Sequence, residues 1–173
     1  MNSAVMHSRR IVRNLVETGV MRWYLLAFAM VLLDQWTKHL ADTQLSYGQP
    51  VYVLPVFNLT LHYNTGAAFS FLSDAGGWQR WFFIVVSLGV SLALMVWMAL
   101  IKNQQKLLTF SLCMILAGAV GNLVDRVALG YVVDFISLHW NNYYFPAFNW
   151  ADTCITVGAA SMLLDMVLHP ENR

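Results

Sequence analysis

From Trp81 to Ile101 the chain runs for 21 residues without one Asp, Glu, Lys or Arg. Coiled at 1.5 Å per residue, such a run is roughly 30 Å long, the thickness of the hydrocarbon core of a bilayer. A soluble chain of 173 residues could cover a helix like this only with a large core and a charged surface. Here 58% of residues are hydrophobic and 11% are charged, so the sequence describes an integral membrane protein.

Three further apolar stretches flank this one. Trp23 to Leu33 follows Arg9, Arg10, Arg13 and Arg22, set against Glu17, and resembles the basic and apolar parts of a secretory signal peptide. No small-residue cleavage site follows, and the run continues into DQWTKHLAD at helical spacing. It therefore reads as an uncleaved first span from near Trp23 to near Asp42, with Met21 as an alternative initiator. Leu107–Val124 and Thr153–Leu168 supply a third and a fourth span. Four spans put both termini on one side. Seven of the ten basic residues (Arg9, Arg10, Arg13, Arg22, Lys102, Lys106 and Arg173) lie on that side, while Lys38, Arg80 and Arg126 lie opposite. The positive-inside rule then predicts cytoplasmic termini. The expected organisation is a cytoplasmic tail over 1–22, one four-helix transmembrane domain over 23–168 and a short cytoplasmic tail over 169–173.

Between the first two spans, Thr43 to Ser73 also lacks Asp, Glu, Lys and Arg, yet Gly48, Pro50, Pro55, Asn58, Asn64 and Gly66 interrupt it. Val51, Val53, Phe57, Leu59, Leu61 and Tyr63 alternate as half-buried strands do. Residues 43–77 are thus expected to form a small extracytoplasmic sheet resting on the membrane surface. Gly76 and Gly77 mark a hinge, after which Trp78, Arg80 and Trp81 suit the interface.

The polar residues gather on the same outer side. Asn122, Asp125 and Arg126 form one face at the end of the third span, preceded by Gly118, Ala119 and Gly121, which allow close helix approach. Asp134 lies among apolar neighbours in YVVDFISLHW, and desolvation there favours its protonated form. Asn149 is a good N-cap for the last helix, with Asp152 at the third helical position; Asp152 is either a capping acid alone or also a functional carboxylate. Asp34 and Lys38, one turn apart, make either a simple salt bridge or a support for the site. If Asp134 and Asp152 converge, they form a pair able to activate water and protonate a leaving amine, without a metal or a covalent intermediate. Convergence requires the Asn141–Pro146 connection to fold back.

Other chemistries find little support. HExxH, GxSxG and Gly-rich phosphate loops are absent, His39, His62 and His139 are scattered, and Cys113 and Cys154 read as packing residues. A net charge of +1 without a dense basic tract excludes a nucleic-acid partner. A proton relay would need polar groups through the spans, where Trp81–Ile101 offers only Ser87 and Ser91.

DQWTK, YNTGAAFSF, GNLVDR, VVDF and FNWAD, in this order among four apolar segments, closely resemble the bacterial lipoprotein signal peptidase family, signal peptidase II. The likeness runs from Trp23 to Leu168, and the last four motifs together are specific. The resemblance implies four transmembrane helices with a small sheet, and a catalytic dyad at Asp134 and Asp152. Asn64, Asn122, Asp125, Arg126 and Asn149 would orient substrate or dyad, with Asp34 and Lys38 as supporting positions. It implies an aspartyl endopeptidase without metal or cofactor. Its substrate would be a diacylglyceryl-modified prolipoprotein, cut N-terminal to the lipidated cysteine at the outer face of the bacterial inner membrane. Membrane lipids and a monomeric state complete the expectation.

Overall fold

The computed structural model describes residues 19–66, 77–101, 105–141 and 143–170. Arg9, Arg10, Arg13, Glu17, Lys102 and Arg173, the glycine Gly76 and the part of YNTGAAFSF beyond Gly66 lie outside the described residues.

The described residues form four helices and one sheet: α1 (Met21–Gln44), β1 (Val51–Leu54), β2 (Phe57–Asn64), α2 (Trp78–Leu100), α3 (Lys106–Ala128), β3 (Val132–Trp140), β4 (Tyr143–Tyr144) and α4 (Trp150–Leu168). The molecule is mainly helical. Among the described residues, α2, α3 and α4 are long and apolar enough to cross a membrane. α1 is 24 residues long, but Arg22, Asp34, Lys38 and Asp42 interrupt its apolar composition. Arg22 and Asp42, near its two ends, are exposed, and the two charges between them are buried. Asp34 and Lys38 lie on a buried stripe with Ala27 and Ala41, while Leu25, Phe28, Leu32 and Trp36 form an exposed apolar stripe.

α3 is the central helix, packed against α1, α2 and α4. Leu94 and Met98 of α2 meet Leu112, Cys113, Leu116 and Ala117 of α3 in the core, with Ala27 of α1 beside them. Cys113 and Cys154 are both free and buried, in keeping with packing roles. The small residues of α3 do what their size allows. A Cβ on Gly118 would overlap the Ala151 carbonyl oxygen, and one on Gly121 would come within 2.5 Å of Asp34 Oδ2. Glycine is needed there because α1 and α4 press against the same end of α3.

The sheet is antiparallel, in the order β1-β2-β3-β4. β2 and β3 are far apart in sequence but pair directly, with Asn64 opposite Val132 and His62 opposite Asp134. The expected inward face is only partly observed. β1 is exposed along its whole length, and the buried positions of β2 are Asn58, Thr60 and Leu61. Alternation separates two faces of a strand without saying which is covered, and an irregularity between Leu59 and His62 shifts the pattern.

After β3 the chain turns at Asn141, whose φ is 52°, and comes back along its own strand. Ile136 N donates to Phe148 O at 2.8 Å, and Phe148 N donates to Ile136 O at 3.0 Å. This is the required return: it sets Asn149 and the start of α4 beside Asp134.

Candidate active site

Asp134 stands on β3 and Asp152 on the first turn of α4, and Asn149 connects them. Fully buried, Asn149 donates from Nδ2 to Asp134 Oδ1 at 2.7 Å. Its Oδ1 accepts from the Asp152 backbone N–H at 2.9 Å, and its own N–H donates to Asp152 Oδ2 at 3.2 Å. The last two bonds are the capping box anticipated from Asn149-Trp150-Ala151-Asp152. Asp152 is also more than a cap, because its Oδ1 accepts from Asn122 Nδ2 at 2.8 Å.

The two carboxyls occupy different surroundings. Asp134 is buried, whereas Asp152 is half-buried. Burial, followed by the nearby negative charge of Asp152, pushes the Asp134 carboxyl up to about 7. Hydrogen bonds from Asn64 and Asn149 oppose the rise without cancelling it. Asn64 Nδ2 reaches Asp134 Oδ2 at 3.2 Å, and its Oδ1 accepts from Gly66 N at 2.9 Å. Of the two partners the resemblance implies for Asn64, substrate or dyad, the structure shows a contact with the Asp134 carboxyl.

Behind the two carboxyls, Lys38 spends its three ammonium donors on Asp34 Oδ2 at 2.9 Å, Asp125 Oδ2 at 3.0 Å and Asn122 Oδ1 at 3.0 Å. The i,i+4 pair of Asp34 and Lys38 is therefore part of the site's foundation. Each acid also holds a piece of backbone: Asp34 Oδ1 accepts from Ala151 N at 2.8 Å, next to Asp152, and Asp125 Oδ2 accepts from Val133 N at 3.0 Å, next to Asp134. Arg126 plays a different part. Its guanidinium lies 5.0 Å from the Phe83 ring centroid and donates to Gly66 O at 2.9 Å, so it braces the turn after Asn64. Among the described residues, no group of three His, Cys, Asp or Glu side chains is arranged to hold a metal ion.

A buried acid half-protonated near neutrality, beside a more accessible carboxylate that accepts from two donors, is an arrangement suited to general acid–base hydrolysis. The chain matches the family described as "Signal peptidase (SPase) II" over residues 26–168, from within α1 to the end of α4. This chain belongs to the signal peptidase II family. It is similar to the lipoprotein signal peptidase of Cellvibrio japonicus, with 48% identity over 86% of this chain and 88% of the relative. The lipoprotein signal peptidase of Ectopseudomonas mendocina is 51% identical over 86% and 89% of the two chains. Among solved structures, a bacterial membrane enzyme determined by the in meso method at 2.3 Å resolution superimposes with a TM-score of 0.78 and 31% identity, covering 88% of this chain and 91% of its own.

In this signal peptidase II chain, the motif residues Asp34, Lys38, Asn122, Asp125, Asn149, Asp134, Asp152 and Asn64 form one connected network. Two participants were not legible in the sequence. Gln35 donates from Nε2 to Asp125 Oδ1 at 2.9 Å and to Gly121 O at 3.2 Å. The signal lay inside DQWTK, but reading that motif as an i,i+4 ion pair passed over the neighbouring amide. Arg80, expected at the interface, donates from Nε to Arg126 O at 2.9 Å and from Nη2 to Val127 O at 2.8 Å.

Proposed function

We propose that this chain removes signal peptides from diacylglyceryl-modified prolipoproteins by hydrolysing the bond N-terminal to the lipidated cysteine, with Asp152 as general base and Asp134 as general acid. Asp152 takes a proton from water as the oxygen attacks the scissile carbonyl. Asp134 then protonates the amide nitrogen as the C–N bond breaks, giving a free carboxylate and a free amine. Proton exchange with solvent returns the pair to its starting state, and its apparent pKa values belong to the two groups together. The observation that carries this reading is the single buried carboxamide of Asn149, bonded on one side to Asp134 and on the other to Asp152.

Asn122, Asn149 and Asn64 orient the dyad in this reading, while Asp34, Lys38, Asp125 and Arg126 hold the elements that carry it. Residues 23–168 act as one catalytic domain in which α1 is the first of four spans. Support comes from its 24-residue length and from the exposed stripe of Leu25, Phe28, Leu32 and Trp36, which gives lipid an apolar face although the helix contains charge. The distribution of basic residues in the sequence supports cytoplasmic termini in the bacterial inner membrane, and hence a site at the outer face. The enzyme works there as a monomer, among membrane lipids that also hold the acyl chains of its substrate.

Asp134→Asn and Asp152→Asn, purified in detergent and given a lipidated precursor peptide, are expected to remain folded and to lose cleavage. Wild-type turnover in either variant would remove the dyad from the mechanism.

A further inference from the structure

We infer that Arg80 is a positioning residue for Asp134, acting from α2 through the C-terminal end of α3; the inference rests on the proposed role of Asp134. The last carbonyls of a helix lack partners within it, and at the end of α3 Arg80 supplies them. Its Nε donates to Arg126 O at 2.9 Å and its Nη2 to Val127 O at 2.8 Å, placing a positive charge where the helix dipole favours it. The guanidinium also lies against Gly130, where φ is +91° and a Cβ would sit 3.3 Å from Arg80 Nη1. Gly130 is the turn that releases the chain into β3, and Asp134 follows four residues later.

A second line runs from the same helix end to the same carboxyl. Arg126, whose carbonyl Arg80 holds, donates from Nη2 to Gly66 O at 2.9 Å. Gly66 N donates to Asn64 Oδ1 at 2.9 Å, and Asn64 Nδ2 donates to Asp134 Oδ2 at 3.2 Å. Arg80 thus fixes the point from which the strand bearing Asp134 and the amide bonded to Asp134 are both set. Its own place is defined by the first turn of α2, where Gln79 Oε1 accepts from Gly77 N at 2.7 Å. A planar fork is needed to hold two successive carbonyls while lying flat on a glycine turn, which the single ammonium of lysine cannot do.

The test compares Arg80→Ala, Arg80→Gln and Arg80→Lys with wild type, scored per folded molecule on a lipidated precursor peptide across pH. A displaced acid slows the chemical step, so kcat should fall roughly ten- to a hundredfold in Arg80→Ala, the scale of an ångström-sized misplacement. KM should change little, the high-pH limb of the kcat profile should move, and Arg80→Lys should recover part of the loss. If Arg80→Ala fails to fold, Arg80→Gln, which keeps a neutral donor, gives the same comparison. Wild-type kcat and pH profile in the folded variants, or a loss confined to thermal stability, would overturn the inference. Asp134→Asn measured in parallel separates the two failures: an active Asp134→Asn rejects the dyad, whereas an inactive one beside unaffected Arg80 variants rejects only the role of Arg80.

Discussion

Asn122 donates its amide to Asp152 Oδ1 across 2.8 Å, and it can point only that way because its oxygen is already taken. Lys38 Nζ donates to Asn122 Oδ1 at 3.0 Å and Asn149 Nδ2 at 3.2 Å, so the carboxamide cannot flip without losing both. The orientation of one donor toward the proposed base is therefore decided by a lysine on a different helix.

Asn122→Asp should expose how much that donor matters. The change keeps the shape but replaces an N–H donor with a carboxylate oxygen facing Asp152. A hydrogen bond to a charged group contributes about 1.5–3 kcal/mol, so turnover should drop at least roughly ten- to a hundredfold. Steady-state kinetics on a lipidated precursor would show it. An Asn122→Asp enzyme with unchanged kcat would mean that the bond does no catalytic work.

Protonation of Asp134 should govern the alkaline side of the activity profile. Its carboxyl is raised from the ordinary 3.8 to about 7 by burial and then by Asp152. The neutral acid needed for proton donation is therefore present below that value and lost above it, and kcat should fall toward tenfold per unit of rising pH. The folded state binds the extra proton between 3.8 and about 7, so stability also declines with rising pH across this window. The Asn64 hydrogen bond lowers the Asp134 value, so Asn64→Ala should move the falling limb to higher pH. A limb that stays in place, or moves the other way, would contradict the assignment.

Lys38→Met should be among the most destabilising single changes in the protein. It leaves Asp34 and Asp125 facing each other in a buried site without their shared cation. Removing one partner from a buried ion cluster costs about 3–5 kcal/mol. Thermal unfolding in detergent should register the loss, and Lys38→Met combined with Asp125→Asn should recover part of it. A double variant no more stable than Lys38→Met alone would point to a role for Lys38 other than charge compensation.

Much of this protein could be read from composition and order alone. The uncharged run from Trp81 to Ile101, the capping pattern at Asn149 and Asp152, and the small residues ahead of Asn122 depend on local chemistry, and each appears as helix α2, a capping box and a close crossing with α4. The motif residues also named nearly every member of the site. The sequence could not say what each one touches, because those contacts cross long separations. Lys38 meets Asn122 84 positions away, and Ala151 N meets Asp34 117 positions away. Lys38 keeps the local Asp34 partner its spacing predicted and gains Asp125 and Asn122 from α3, while Asn64 meets Asp134 and Arg80 meets the end of α3; helix crossings and the β2–β3 pairing supplied these distant partners. The exposed β1 makes the same point, since period-two hydropathy tells two faces apart but only packing selects the covered one. Local pattern and residue type thus determined the helices, their caps and the identity of the polar groups. Tertiary structure decided which donor meets which carboxyl, because a hydrogen bond depends on ångström-scale distance between atoms that the chain brings together only after it folds.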